Sequence, residues 1–511
     1  MSRLRSFICL LAALSAGVSA SIGPIIHDLE IVNKQIAPDG FLRQTVLADG
    51  VFPAPVIRGK KDGFFNINVV DKLQDSSLDL ATSIHWHGLF QKHTAYADGP
   101  AFVTQCPLIP NEAFQYKFAV PGQAGTFWYH SHFRNQYCDG LRGAFIVDDP
   151  DDPHKHLYDF DDDSTVITLA DWYHYLSTNA PAIPLINGKG RYPGGPSVPL
   201  AVVNVKQRKR YRFRLVSISC DPSYVFSIDS HQLTVIEVDG QNVQPLLVDS
   251  LEIFAGQRYS VVLNANQKVG NYFRLNRTGI RALPQAAGRS LNFSNFNNVA
   301  ILRYKGAHIE NPTNDSAVNV PTSQLPLVET NLHPLDGAPV PGQPFPGGAD
   351  INIQLDVALG LSASGAPQFT VNGVPFESPT VPVLLQILSG VKNASQLLPK
   401  GSIYGLAANK SVEISIPGGA PALGIRPTTF DNPVVRDVVS IGGTTADNTT
   451  IRFFTDNPGP WFLHCHIDWH LNAGFAAVFA EDVPDVESQD ITTAQWRNLC
   501  PVYDKFINGT T

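Results

Sequence analysis

The chain has 511 residues, with 37 Lys and Arg against 45 Asp and Glu for a net charge of -8, and only 16% of its residues are charged. Such a length fits roughly three domains of ordinary size, and the acidic balance argues against nucleic acid as a partner. Glycine (40) and proline (39) are abundant, which suits many short strands joined by turns better than long surface helices.

From the N-terminus, residues 1–20 carry Arg3 and Arg5, an apolar run over 7–13, and then Val18, Ser19 and Ala20. That is the pattern of an export signal cleaved after small residues. The run is too short to cross a bilayer of about 30 Å as a helix, so a secreted, extracellular protein with no membrane partner is expected. Removing the segment takes two arginines with it and moves the net charge from -8 to -10. Asn-X-Ser/Thr sequons at Asn276, Asn292, Asn314, Asn393, Asn409, Asn448 and Asn508 agree with export. Cys9 leaves with the signal, and Cys465 sits among histidines. Cys106, Cys138, Cys220 and Cys500 then form an even set able to make two disulfides in any of three pairings.

Alternating apolar and polar residues over 64–70, 211–216, 259–263 and 412–416 read as strands. Short helices are expected near 384–388 and at the C-terminus. Acidic residues 148–163 and the Pro/Gly-rich stretch 311–348 read as linkers. The expected layout is all-β, with three consecutive sandwich or barrel domains at 21–150, 151–320 and 321–511.

The chemistry concentrates in His85-Trp86-His87, His130-Ser131-His132 and His464-Cys465-His466, with His470 just beyond. Residues two apart in a strand face the same way, so each tripeptide offers two imidazoles to one side. Six imidazoles can then converge on one metal cluster. Cys465 faces the opposite side, toward a second site that His470 can join. A thiolate with imidazoles suits an electron-transfer copper, and the peptide bonds flanking Cys465 lead directly to His464 and His466. A single His-X-His is more often a surface or satisfied core pair, and zinc competes as a metal. Structural zinc sites, however, draw on several cysteines at finger-like spacing, and only Cys465 is near. The isolated His27, His93, His154, His156, His174, His231, His308 and His333 read as surface or hydrogen-bonded residues.

Three stretches resemble signatures of the fungal laccases, a family of multicopper oxidases: residues 85–107, from the first His-X-His through Asp98 and Cys106; residues 125–141, around the second; and residues 459–475, around the third. The resemblance implies cupredoxin-like Greek-key domains and four copper ions. Cys465 and His470 would bind the type 1 copper, with Phe475 in its non-coordinating axial position. His85 would bind the type 2 copper, and His87, His130, His132, His464 and His466 the type 3 pair. Asp98 would help deliver protons to the oxygen site, and Asp221 would orient phenolic or aromatic amine substrates. The disulfides implied are Cys106–Cys500 and Cys138–Cys220. The reaction implied is that of a p-diphenol:dioxygen oxidoreductase, in which one-electron oxidations of phenols, lignin-derived ones among them, are coupled to four-electron reduction of dioxygen to water by a monomer.

One departure matters. Laccases carry a further signature, His-Pro-X-His-X-His, between stretches resembling 412–416 and 436–439, and here no histidine occurs between His333 and His464. His333-Pro334 begins like the motif but lacks the two later histidines. A strand-sized segment is expected to be missing near 417–436, through a misplaced splice junction or in a real transcript encoding an impaired copper-binding pseudoenzyme. Each copper class then lacks one ligand, and the third domain is expected to show an opened sheet edge.

Overall fold

In a computed structural model, the structure describes residues 25–175, 182–274, 277–278, 280–285, 299–309, 323–337, 339–418, 430–442 and 447–509. The export segment, the sequons at Asn276, Asn292 and Asn314, and residues 419–429 lie outside the described residues.

Strands dominate, and their inward faces follow the alternation in the sequence. In Phe64–Asp71, Phe65, Ile67 and Val69 are buried while Phe64, Asn66 and Asn68 point outward. The strand expected at 211–216 is Arg210–Ser217, that at 259–263 is Arg258–Asn264, and that at 412–416 is Ser411–Pro417. Two four-stranded sheets enclose the first core. One orders Arg43–Ala48, Ile25–Ile36, Phe64–Asp71 and Ala113–Ala119; the other orders Ala54–Lys60, Arg142–Asp148, Gly125–Ser131 and Ile84–His87. Larger sheets of six and seven strands enclose a second core that includes Phe213, Val235, Val261 and Leu302. Trp128, Trp172, Ile218 and the Cys138–Cys220 disulfide pack together between the two. The sheets remain open among the described residues, so the architecture is that of sandwiches and not of closed barrels.

The third core is thinner among the described residues. Its sheets there have three, two and three strands, and its buried apolar residues are few, including Leu355, Val412, Ile414 and Phe475. Among the described residues the strand Asn448–Phe454 pairs on one side only, with Ser411–Pro417, and none of its residues is fully buried. Phe454 is 50% exposed. This half-covered edge borders the interval where the sequence falls short of the laccase pattern.

The C-terminal helix Ala494–Ile507, capped by the Thr493 side chain on Trp496 N, returns to the first core. There Trp496, Leu499 and Tyr503 are buried, Trp496 Nε1 donates to Thr104 O at 3.0 Å, and Cys500 is bonded to Cys106. The helix expected near 384–388 is Val383–Leu388. No helix among the described residues is long and apolar enough to cross a membrane.

Candidate metal centre

Two antiparallel strands of the first region set the floor of the site. Ile84–His87 pairs with Gly125–Ser131 in a register that places His85 opposite His130 and Trp86 opposite Tyr129. Pleating sends Trp86 and Tyr129 into the first core, which leaves the histidines on the other face. The strand-pleat expectation holds strictly for His85 and His87. His132 lies one residue past its strand, and Gly459–His464 ends before Cys465 and His466. The chain nevertheless stays extended enough for Cys465 N to donate to Phe475 O at 3.1 Å.

All six imidazoles converge. Neighbouring ring centroids lie 5.0 to 5.9 Å apart across His85, His87, His130, His132, His464 and His466. Two nitrogen pairs approach most closely: His132 Nε2 and His464 Nε2 at 3.2 Å, and His87 Nδ1 and His466 Nε2 at 3.3 Å. Two imidazoles sharing an ion at about 2.0–2.1 Å each would stand about that far apart. Ligand atoms of His85, His87 and His130 also lie within 4.8 Å of one another.

Ring orientation is set from outside the cluster. Nδ1 of His85, His130 and His464 faces the carbonyl oxygens of Asp98, Ser131 and Cys465 at 2.8, 2.8 and 2.9 Å, turning Nε2 inward. His130 Nε2 is buried with no hydrogen-bond partner, an arrangement that costs free energy unless an ion uses the lone pair. Burial pushes His87 and His464 down to about 4 and holds His130, His132 and His466 well below the ordinary histidine value. Those five rings are therefore neutral and able to ligate. At His85 burial is outweighed by Asp98, which raises it. The donor set fits a metal cluster.

Cys465 lies on the far side of its chain, with Sγ 3.4 Å from His470 Nδ1. Burial pushes its thiol up to about 12, with Asp221 and Asp468 adding repulsion, so a metal must displace the thiol proton to bind. Phe475 is buried beside it, its ring 5.3 Å from that of Phe369, which is 4.5 Å from His470. Asp221 sits on the Cys465 side, its turn fixed by Asp221 N donating to buried Asp171 at 3.1 Å. Asp98 is buried against His85, with its carboxylate 3.4 Å from Nδ1. His333 is engaged with Asn432 O at 3.0 Å and does not supply the missing signature.

Three features escaped the motif reading. Trp128 stacks on His130 at 4.2 Å and leans on His87 and His466 at 5.0 and 5.3 Å. Tyr137 OH donates to His466 O at 3.0 Å. Asp437, 30% exposed, is gripped at both oxygens by Arg258 and lies 3.4 Å from His87 Nε2. Trp128 and Tyr137 stand inside the quoted signatures, where a signal existed. Arg258 has none.

Family models described as multicopper oxidase match residues 30–152, 163–307 and 417–485. The chain is 52% identical to Laccase-2 of Trametes versicolor, over 99% of this chain and 98% of that protein. It is 53% identical to a laccase of Phlebia radiata, over 98% of each. The Trametes alignment spans 530 positions against 511 residues here, so at least 19 of them hold residues this chain lacks. Among solved structures, the multicopper oxidase Fet3p matches with TM-score 0.80 at 25% identity, covering 94% of this chain and 95% of that one. The Botrytis aclada laccase matches with TM-score 0.78 at 27% identity, covering 95% and 93%.

Proposed function

The chain belongs to the multicopper oxidases and within them to the laccases, and from that premise we propose how its own residues divide the work of a secreted phenol oxidase. Cys465 and His470 form an outer electron-accepting site. His85, His87, His130, His132, His464 and His466 form the inner site where dioxygen is reduced. Copper, when bound, supplies the one-electron steps that join four substrate oxidations to one dioxygen.

Asp221, fixed beside Cys465 by Asp171, accepts a hydrogen bond from a phenol or aromatic amine and holds it at the outer site. The path inward is covalent, since the Cys465 backbone continues directly into His464 and His466. Asp98 holds the His85 ring and offers a carboxylate at the inner site for protons consumed there. Trp128 and the buried first-core strands keep bulk water from the rings. The second core, drawn almost entirely from residues 167–304, supports a middle domain at 151–320 between those at 21–150 and 321–511, while the first core also takes in Val383, Leu384, Val478 and Trp496 from the last of these.

One observation carries this reading: six imidazoles from three segments, with His132 and His464 332 positions apart, meet in a single cluster, while the cysteine between two of them faces away. The test is copper content, the blue absorption of a copper thiolate, and oxygen uptake with a phenol, all measured on the purified chain. Copper with oxygen uptake supports the reading. Copper with no uptake at any phenol concentration contradicts it and favours a binding protein.

A further inference from the structure

His87 is the odd member of the cluster. The rings of His85, His130 and His464 turn Nδ1 outward to main-chain carbonyls, whereas His87 presents Nδ1 to His466 Nε2 at 3.3 Å. A neutral ring that ligates through Nδ1 must carry its proton on Nε2, and that proton needs an acceptor. The atom facing Nε2 is Asp437 Oδ1, at 3.4 Å.

Asp437 cannot drift from this position easily. Arg258 donates to both its oxygens, at 2.7 and 2.6 Å, a two-point grip that a lysine cannot make. Arg258 itself is fully buried, with Nε on Thr126 O at 3.0 Å and Nη1 on Gly256 O at 2.8 Å. Thr126 belongs to the strand that carries His130. Next to Asp437, Arg436 donates to Asp239 Oδ2 at 2.9 Å. The pair also presses on the backbone after His87: a Cβ at Gly88, where φ is +90, would come 2.5 Å from Arg258 Nη2 and 2.7 Å from Asp437 Oδ2.

We propose that Asp437 is a positioning residue, held by Arg258, that fixes the His87 ring with Nε2 protonated and Nδ1 directed at the cluster. It thereby anchors the downstream flank of the shortened interval to the inner site. The proposal rests on His87 being a metal ligand, and it adds the group that decides which His87 nitrogen ligates. Carboxylates that orient ligating histidines in this way typically govern metal affinity by 10–100-fold.

The test uses the full metal-free chain with 15N-labelled histidine, in which long-range proton–nitrogen spectra read the His87 tautomer, followed by copper titration. The unaltered chain is expected to show His87 with its proton on Nε2 alone. Asp437→Ala is expected to mix the two tautomers and weaken copper binding about 10–100-fold, while Asp437→Asn, which keeps an acceptor oxygen, holds the tautomer and loses less. Should Asp437→Ala fail to fold, Arg258→Lys is expected to mix the tautomers by loosening the grip. A folded Asp437→Ala or Arg258→Lys chain with the single Nε2-protonated form overturns the proposal, as does a proton on Nδ1 in the unaltered chain. Because the tautomer is read without copper, its outcome stands apart from whether the unaltered chain consumes oxygen.

Discussion

Replacing residues 418–435 with a laccase segment that carries the family signature His-Pro-X-His-X-His is expected to complete all three ligand sets. The outer site now offers Cys465 and His470, the inner site six imidazoles, and among the described residues the edge strand Asn448–Phe454 has Ser411–Pro417 as its one neighbour. Each ion newly retained at a free concentration 100 times its Kd adds about 2.7 kcal/mol, which in a domain of this size is worth about 5–10 °C in Tm. Covering Ile451, Phe453 and Leu463, each only partly buried, adds a further gain that persists without metal. Scanning calorimetry with and without a chelator separates the two contributions, and copper content and oxygen uptake are read on the same samples. The expected result is a rise of that size abolished by chelation, with a stronger blue band and faster turnover. A folded chimera whose Tm rises equally with and without chelator, and which binds no additional copper, refutes the reasoning.

Other perturbations separate the parts. Cys465→Ser is expected to abolish the blue band and phenol oxidation while leaving inner-site copper in place, as metal analysis would show. Removing the Cys106–Cys500 disulfide, which joins residues 394 apart, is expected to cost about 2–5 kcal/mol and to expose the C-terminal helix to proteolysis; an unchanged digestion pattern would count against its role as a clamp. Burial pushes Asp71 up to about 8, far above its unfolded value near 3.9. Its contribution to stability is thus fully present below about pH 4 and is lost as pH rises toward 8. Asp71→Asn, which keeps an acceptor for Leu73 N, is expected to flatten that decline by several kcal/mol, measured as Tm against pH.

Much of this was legible in the sequence because the signals are local. Alternation located Phe64–Asp71, Arg210–Ser217, Arg258–Asn264 and Ser411–Pro417 to within a residue or so, since one face of each meets a core. Parity left the disulfide pairing open, and the resemblance supplied the pairs that the fold brings together, Cys106–Cys500 and Cys138–Cys220. The grip of Arg258 on Asp437 was not legible, because it joins positions 179 apart through side chains with no periodic or motif context. Open sheets in place of a barrel likewise depend on how strand edges meet, which alternation does not encode.

On the proposed division of work, backbone geometry aims six imidazoles at one cluster while Cys465 serves a separate ion. Anomalous diffraction at the copper edge, from crystals of the copper-loaded chain, tests it most directly. Copper density is expected between His132 and His464 and between His87 and His466, with any further ion at Cys465 and His470 on the opposite side of the 464–466 segment. Copper bound only at surface histidines such as His156 or His308, with the inner cluster empty, would contradict it.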